Sequence, residues 1–326
     1  MNNQEIARKT VDRMLETINA NGVLPWVKPW TNGGRASVRV IDGYTEVTIP
    51  VRHWSRSGKP YRGMNVWLLS VGGKSGEWVT FNQCKKEGGH VNKGAKGHTI
   101  CYWQMLKKET DELDDNGNKK IKVIPMLKTY TVFNVKDDTD LEEKHSPDPE
   151  VIRMEQWHYE PVEGIDEADY NPAAEAIIAG YLQRSTGLTL DCKGHSNRAY
   201  YAPYLDKVVV PNITQYEATP EYYSTLFHEL GHSTGHVSRL NRFSGENANA
   251  AFGSESYSRE ELVAEITAAA ILNELGMETG NSFRNSAAYV KSWASHIKED
   301  PMMFISAASK AEKAIDLILY GTPTTC

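Results

Sequence analysis

The chain has 326 residues, about two domains by the usual length of globular domains. Hydrophobic residues make up 40% of it, enough for two cores, but no apolar run approaches the roughly 18 residues of a membrane span, which excludes a membrane-spanning helix. The net charge of −6 is unevenly divided: residues 1–135 carry 21 Lys and Arg against 12 Asp and Glu, and residues 136–326 carry 15 against 30. The first part, at +9, is suited to a polyanion, and the second, at −15, would repel one except where a bound cation neutralises it.

The first part shows the elements of a small α+β domain. Apolar residues recur at helical spacing over the first 22 residues, which predicts an amphipathic helix, and they form no apolar core of a signal peptide. Short β-like runs follow at 66–71, 77–81 and 98–106. Asn116-Gly117 is a strong turn signal, so 98–135 is predicted to be a long hairpin. We therefore expect an α+β domain over residues 1–135.

The segment 136–150 is acidic, poor in apolar residues and contains two prolines, as expected of a solvated linker. After it the pattern becomes mainly helical. The predicted elements are a helix at 171–187 with an Asn cap, two short strands at 198–212, a helix with Thr219 as N-cap and Pro220 as first residue, and a helix from Ser258 to Leu275. These elements predict a second, mainly helical domain over residues 151–326.

The most specific signal is the sequence HELGH at 228–232. On a helix, His228 and His232 lie four residues apart on one face, so both imidazoles can reach one metal ion. The metal would supply Lewis acidity and a nucleophilic water at neutral pH, and Glu229 would take the proton of that water as a general base.

An acidic helix follows this motif. Glu261 and Glu265 lie one helical turn apart and share a face with apolar residues, where a carboxylate needs a partner because burying it unpaired is very costly. We expect Glu261 to be the third ligand and Glu265 to orient a histidine; the exchanged roles, or Glu260 as the ligand, remain open. Zn²⁺ suits an open site of imidazole and carboxylate, with Mn²⁺ or another divalent ion as the alternative.

Cations and aromatic residues are interleaved in the first part, partly on glycine-rich sequence. In a single-strand binding groove, phosphates contact Lys and Arg while bases stack on aromatic rings. The competing interpretations are that the aromatic residues belong to the core and that the cations form a solvated face. The candidate DNA-binding residues are Trp26, Lys28, Trp30, Arg56, Lys59, Tyr61, Arg62, Lys85, Lys86, Lys93 and Lys96.

The cysteines indicate the compartment. They are scattered, with no CxxC pair, at Cys84, Cys101, Cys192 and Cys326. Free thiols are typical of a reducing environment, so we expect a cytoplasmic protein.

The motifs of both parts resemble those of the ArdC antirestriction family. In the first part the resemblance is carried by LPWVKPW, KPYRGMN, WVTFNQ and GGHVNKGAKG. In the second it is carried by RAYYAPYLDKVVVP, YYSTLFHELGHSTGHVSRLNR and YSREELVAEITAAA. Together these stretches span nearly the whole chain except the linker and roughly the last 45 residues.

The resemblance implies an N-terminal domain that binds single-stranded DNA and a zincin-like metallopeptidase domain. It implies a protein of conjugative plasmids that protects incoming DNA from restriction in the cytoplasm of a recipient or donor cell. The family's metal residues carry over to His228 and His232, with Glu229 as general base and Glu261 as acidic ligand. The protein substrate would be a host protein, with the restriction machinery as the candidate source.

Two other functions compete with this one. The first is a DNA-binding shield whose metal site is structural or vestigial, against which Glu229 argues because a structural site needs no general base. The second is a metal-dependent nuclease. Two histidines and one glutamate around a single metal fit peptide hydrolysis better than the carboxylate-rich two-metal sites of many nucleases.

Overall fold

The computed structural model describes most of the chain, and its helices and strands form the α+β fold that the sequence predicts. The described residues are 3–21, 36–41, 44–62, 64–70, 73–113, 119–155, 170–243, 255–277 and 287–321. Within these ranges, no helix combines the length and the apolar character that crossing a membrane requires.

The first part, together with the segment that follows it up to Glu155, consists of two sheets with helices packed around them. In chain order its elements are α1 (Asn3–Asn21), β1 (Ser37–Ile41), β2 (Tyr44–Ile49), β3 (His53–Ser55), α2 (Met64–Ser70), β4 (Gly76–Thr80), α3 (Phe81–Lys86), β5 (His98–Leu113), β6 (Lys119–Asn134), α4 (Val135–Asp138) and β7 (Glu150–Glu155). One sheet has the strand order β1-β2-β7 and the other β3-β4-β6-β5. The predicted N-terminal helix is confirmed as α1, and the predicted strand at 77–81 as β4.

The predicted long hairpin is confirmed. Strands β5 and β6 pair antiparallel, with His98 opposite Val132 and the register continuing to Glu109 opposite Ile121. The proposed Asn116-Gly117 turn lies outside the described residues. Strand β4 pairs with β6 only from Val132 to Asn134, so the rest of the hairpin extends past β4 as a two-stranded ribbon.

The prediction of a strand at 66–71 is wrong, because residues 66–70 lie in α2, and Val71 lies outside the described residues. A short apolar run fits a buried helix as well as a buried strand, and tertiary contacts decide between them. In the helix, Leu69 is fully buried against Trp78. The Asn65 side chain also accepts a hydrogen bond from the backbone N–H of Cys101 and donates one to the carbonyl of Cys101, at 2.8 Å each. These two bonds supply partners for backbone polar groups at the edge of β5.

The segment predicted as a solvated linker has mostly exposed side chains and is also hydrogen-bonded to the first part. The fully buried Glu77 accepts hydrogen bonds from the backbone N–H groups of Lys144 and His145 at 2.6 and 3.1 Å. The Arg56 guanidinium donates to the carbonyl of Glu142 at 2.8 Å. Buried charges need such partners, and the acidic segment supplies them through its backbone. At its end, β7 pairs with β2 of the first part.

The second part is mainly helical, as predicted. Its elements are α5 (Pro172–Arg184), β8 (Thr189–Asp191), β9 (Tyr200–Ala202), β10 (Lys207–Val209), α6 (Thr219–Ser233), α7 (Glu255–Glu274), α8 (Ala287–Glu299) and α9 (Pro301–Tyr320). Asn171 caps α5, and β9 and β10 are the two predicted strands. Thr219 is not the N-cap of α6: Ala218 takes that position without a side-chain bond, and Pro220 lies in the first turn, where its missing N–H is harmless.

One hydrophobic cluster runs through both parts of the described chain. It includes Ala7 of α1, Val47 of β2 and Ile152 of β7 together with Phe227 of α6 and Phe304 of α9. The apolar positions of α1, spaced four residues apart, bury against helices of the second part, because α1 packs on α8 and α9. The change in charge along the chain therefore does not coincide with a break in the core.

Helices α6 and α7 pack closely at Gly231. A Cβ atom at this position would lie 3.1 Å from the Cα of Ala264 and 3.4 Å from the Cβ of Thr267. Gly231 itself is buried in α6. The absence of a side chain there lets the two backbones approach each other.

Gly231→Val should lower the free energy of unfolding by about 1–3 kcal/mol, because the added methyl groups must push α6 and α7 apart. Gly231→Ala should lower it less, because alanine gains up to ~1 kcal/mol of helix propensity. Urea denaturation measures both effects. Gln183→Val, on the exposed face of α5, is the control and should change stability by less than about 0.5 kcal/mol. An equal loss in Gly231→Val and Gln183→Val would contradict the prediction.

Candidate metal centre

Helix α6 carries the HELGH motif at the edge of the shared core. Leu226, Phe227 and Leu230 are fully buried and anchor the helix, while His228 and His232 stand on the side that meets α7. Helix α7 packs its buried apolar residues against the same core and turns Glu261 toward both imidazoles.

Three side chains converge on one point. The Nε2 atoms of His228 and His232 are 3.2 Å apart. Glu261 places one carboxylate oxygen 3.4 Å from Nε2 of His228 and the other 3.3 Å from Nε2 of His232. All three ligand atoms lie within 4.8 Å of one another. The structure therefore brings together the two histidines and the acidic residue that the sequence singled out as ligands.

These distances fit a shared metal ion. Ligand atoms at about 2.0–2.1 Å from a tetrahedral Zn²⁺ stand roughly 3.3 Å from one another. The two imidazole nitrogens, 3.2 Å apart, match that spacing, and each of them has one oxygen of the Glu261 carboxylate at 3.3 or 3.4 Å. Two imidazole nitrogens and one carboxylate leave a fourth position open, as in catalytic rather than structural sites.

Further carboxylates face the outer nitrogens of the two imidazoles. Glu265 has an oxygen 3.5 Å from Nδ1 of His228, and Glu260 has one 3.6 Å from Nδ1 of His232. A hydrogen bond to a carboxylate fixes the orientation of a ligating imidazole and raises its basicity, and a small movement of either side chain would bring these pairs within hydrogen-bond distance. Glu265 therefore lies where the sequence suggested an orienting group, and Glu260, weighed as an alternative ligand, takes the equivalent place beside the other histidine.

Arg242 is a buried residue of the site that sequence reasoning missed. It donates to Glu260 at 2.6 Å, to the Thr234 hydroxyl at 2.7 Å and to the carbonyl of Gly231 at 2.8 Å. It thus joins the end of α6 to Glu260 on α7. Arg242 lies ten residues after His232, a separation that does not place the two on one face of a helix. Its position in VSRLNR, directly after the motif, was the one sequence feature that could have marked it as a candidate.

The site favours positive charge. Burial lowers the pKa of His232, but hydrogen bonds with Glu260 and Glu261 outweigh burial and raise the pKa to about 10. Burial raises the pKa of Glu261, but the bonds from His228 and His232 outweigh it and hold the pKa well below its ordinary value. Glu229, next to His228, is also buried, and its charge adds to the effect on His232. A divalent cation would satisfy the same carboxylates.

His236 lies apart from the three ligand atoms. Its Nδ1 is 2.8 Å from the Ser238 hydroxyl and 3.9 Å from Asp206. Asp206, in the turn between β9 and β10, accepts hydrogen bonds from Tyr201 and Arg239, and Arg239 also donates to the carbonyl of Ser233 at 2.8 Å. This cluster ties the end of α6 to the turn between the paired strands β9 and β10.

The candidate DNA-binding residues fall into three groups. Trp26, Lys28 and Trp30 lie outside the described residues. Tyr61 is half-buried against Leu69 and Trp78, and this burial raises its pKa to about 12. The exposed candidates are Lys59, Lys85, Lys86, Lys93 and Lys96.

Arg56 and Arg62 are not free surface cations. The Arg56 side chain is buried and forms ion pairs with Glu77 at 2.9 Å and Glu87 at 2.7 Å. Arg62 is paired with Glu150 and lies over the ring of Tyr320 at 5.1 Å. Both guanidinium groups hold segments of the fold together, and the side chain of Arg56 is buried while that of Arg62 is partly exposed.

Comparison with known proteins covers both parts of the chain. Residues 4–133 match the N-terminal domain of the anti-restriction factor ArdC, and residues 172–310 match the zincin-like metallopeptidase family MPTase-PolyVal. Among curated relatives, two DNA primases TraC of Escherichia coli are 34% and 32% identical over 95% and 94% of this chain. The chain spans only 27% and 19% of their lengths. An uncharacterized protein, y4eC of Sinorhizobium fredii, is 27% identical over 96% of this chain and 91% of its own.

Two solved structures of antirestriction ArdC protein from plasmid R388 share the fold. The metal-free structure has a TM-score of 0.61 and the Mn(II)-bound structure 0.62. In each case the sequences are 32% identical, and the match covers 96% of this chain and 96% of the other. Since the similarity extends over both parts and almost the full length of that protein, the chain belongs to the ArdC antirestriction family.

Proposed function

We propose that this chain protects plasmid DNA from restriction in a new host by binding single-stranded DNA and hydrolysing a host protein with a metal-dependent peptidase site. The observation that carries the proposal is the convergence of His228, His232 and Glu261 beside the buried Glu229. Membership of the ArdC family supports the antirestriction role, and the zincin-like match supports the peptidase chemistry.

The mechanism assigns a separate task to each side chain. His228, His232 and Glu261 hold the ion, while Glu265 and Glu260 orient the imidazoles through their Nδ1 atoms. A bound divalent ion supplies Lewis acidity and lowers the pKa of water. Glu229 takes the proton of the attacking water and delivers it to the leaving nitrogen of the peptide.

Zn²⁺ is our first choice for the ion, because two imidazoles and a carboxylate at tetrahedral spacing suit it. Mn²⁺ is the alternative, supported by the Mn(II)-bound structure of the R388 protein. The protein substrate would come from the host, with the restriction machinery as the source to test first.

Charge supports nucleic-acid binding by the first part. Residues 1–135 carry a net charge of +9, and Lys85, Lys86, Lys93 and Lys96 are exposed on the segment between β4 and β5. We include Lys59, Tyr61, Trp26, Lys28 and Trp30 in the proposed surface. We propose residues 1–135 and 151–326 as two functional units, joined by 136–150.

A DNA-binding shield with a non-catalytic metal site is the alternative. It would need the same basic surface but no general base. The buried Glu229, adjacent to His228 in the motif, and the set of three ligands among the described residues favour the catalytic proposal, because a structural zinc site is closed by four protein ligands.

The Glu229→Gln variant distinguishes the peptidase from the DNA-binding shield. The variant should keep the metal and bind single-stranded DNA as wild type does, because Glu229 holds neither. It should lose protection of incoming DNA by about 10²–10⁴-fold if general-base catalysis is required. Transfer of restricted DNA into a restricting host measures protection, with metal content and DNA affinity measured in parallel.

His228→Ala is the matched comparison, since it should lose the metal as well. Full protection by Glu229→Gln would overturn the peptidase proposal and leave the shield in its place.

Glu260→Gln tests the outer contacts of the site. Losing the carboxylate beside Nδ1 of His232 should weaken metal binding by about 10–100-fold while the fold remains intact. Competition with a chelator measures the affinity. Glu299→Gln, on the exposed end of α8, is the control and should bind metal as wild type does. Unchanged affinity in Glu260→Gln would show that Glu260 only pairs with Arg242.

DNA binding by the full chain should weaken steeply as salt rises from about 50 to 200 mM, because neutralised phosphates release counterions. Replacing Lys93 and Lys96 together by Ala should reduce both the affinity and the salt slope. Fluorescence anisotropy with an oligonucleotide of thymidines measures both. Replacing Lys298 and Lys313, exposed on α8 and α9, is the matched control. Salt-independent binding would rule out the phosphate contacts.

A further inference from the structure

The two faces of the β5–β6 ribbon differ in what covers them. Cys101 and Leu127 are buried on one face and belong to the shared core, where Cys101 contacts Thr10 of α1. On the other face, helix α2 covers only the start of the ribbon, through the contact of Leu69 with Val132 and Ile100. Farther along this second face, Tyr102, Leu106, Lys108 and Tyr130 are exposed, while Gln104, Met126 and Lys128 are partly buried.

Two stacked tyrosines lie on the exposed face. The rings of Tyr102 and Tyr130 are 5.8 Å apart with an interplanar angle of 25°. Their residues are 47% and 42% exposed, and Leu106 on the same face is 37% exposed. Large apolar groups on an exposed strand face invite aggregation unless they have a partner. A flat pair of rings is suited to stacking on another aromatic ring system.

Lysines accompany the tyrosines. Lys128 lies directly opposite Tyr102, and Lys108 lies directly opposite Lys122. The Lys108 side chain is exposed, so its charge is available to an anion. Among the described side chains of this face, alternation along the strands assigns no Asp or Glu from Ile100 to Lys108 or from Met126 to Tyr130.

We infer that this face of the hairpin is a stacking platform for single-stranded nucleic acid, with bases on Tyr102 and Tyr130 and phosphates on Lys128 and Lys108. This inference rests on the proposed function and adds a surface to the lysine-rich segment. That segment leads into β5 at His98, so the strand of nucleic acid can pass from Lys93 and Lys96 onto the ribbon. Base stacking on aromatic side chains is tolerant of sequence, and the platform therefore confers little sequence preference.

The test separates stacking from charge. Full-length Tyr102→Ala and Tyr130→Ala should each bind an oligonucleotide of thymidines about tenfold or more weakly than wild type. On an abasic oligonucleotide of the same length, which offers phosphates but no bases, they should bind as wild type does. Tyr102→Phe and Tyr130→Phe should retain wild-type affinity because they keep the ring. Tyr204→Ala, at a residue that is 94% exposed in the second part, is the matched control.

Lys128→Ala should weaken binding to both oligonucleotides and lower the salt slope, because it removes a phosphate contact. Wild-type affinity in both Tyr→Ala variants would overturn the platform and leave the proposed DNA binding intact. Equal weakening on the thymidine and abasic strands would also overturn it. Failure of the wild-type chain to bind either strand would overturn the platform and the proposed function together.

Discussion

The close packing of α6 on α7 is the constraint on which the candidate metal centre depends. Gly231 lies one residue before His232, and its neighbour across the interface, Ala264, lies between Glu261 and Glu265. The contact therefore fixes the separation of the two helices within one turn of the ligand atoms. A larger residue at this point would move carboxylates and imidazoles apart, where differences of a few tenths of an ångström decide whether three donors share an ion.

Burial links this site to the rest of the molecule. Carboxylates inside a protein need partners, and Arg242 and the histidines supply them at the site as Arg56 does for Glu77 in the first part. The core that supports α6 and α7 also receives α1 and β2. The basic surface and the metal centre are thus built on one continuous framework, although their charges are opposite in sign.

Patterns between residues close in sequence predicted the elements whose structure depends on contacts between such residues. Helical periodicity located α1 and α5, and the HELGH spacing identified His228 and His232 as neighbours. Long-range contacts were beyond such signals: α2 is a helix because Leu69 and Asn65 meet a distant strand, and the segment 136–150 is ordered by Glu77 and Arg56. The ion pairs of Arg56 with Glu77 and Glu87 were beyond these signals for the same reason, because composition shows a cation but not its partner.

The pairing of β7 with β2 governs how this protein can be divided. The ArdC N-terminal match stops at residue 133 and the zincin-like match begins at residue 172, but β7 lies between them and completes the first sheet. A fragment cut at residue 135 would expose the edge of β2 and lose Ile152 from the core, and an open strand edge is a template for aggregation. A division of the chain that keeps the first sheet whole therefore falls beyond Glu155, so β7 belongs structurally with the N-terminal half although neither family match includes it.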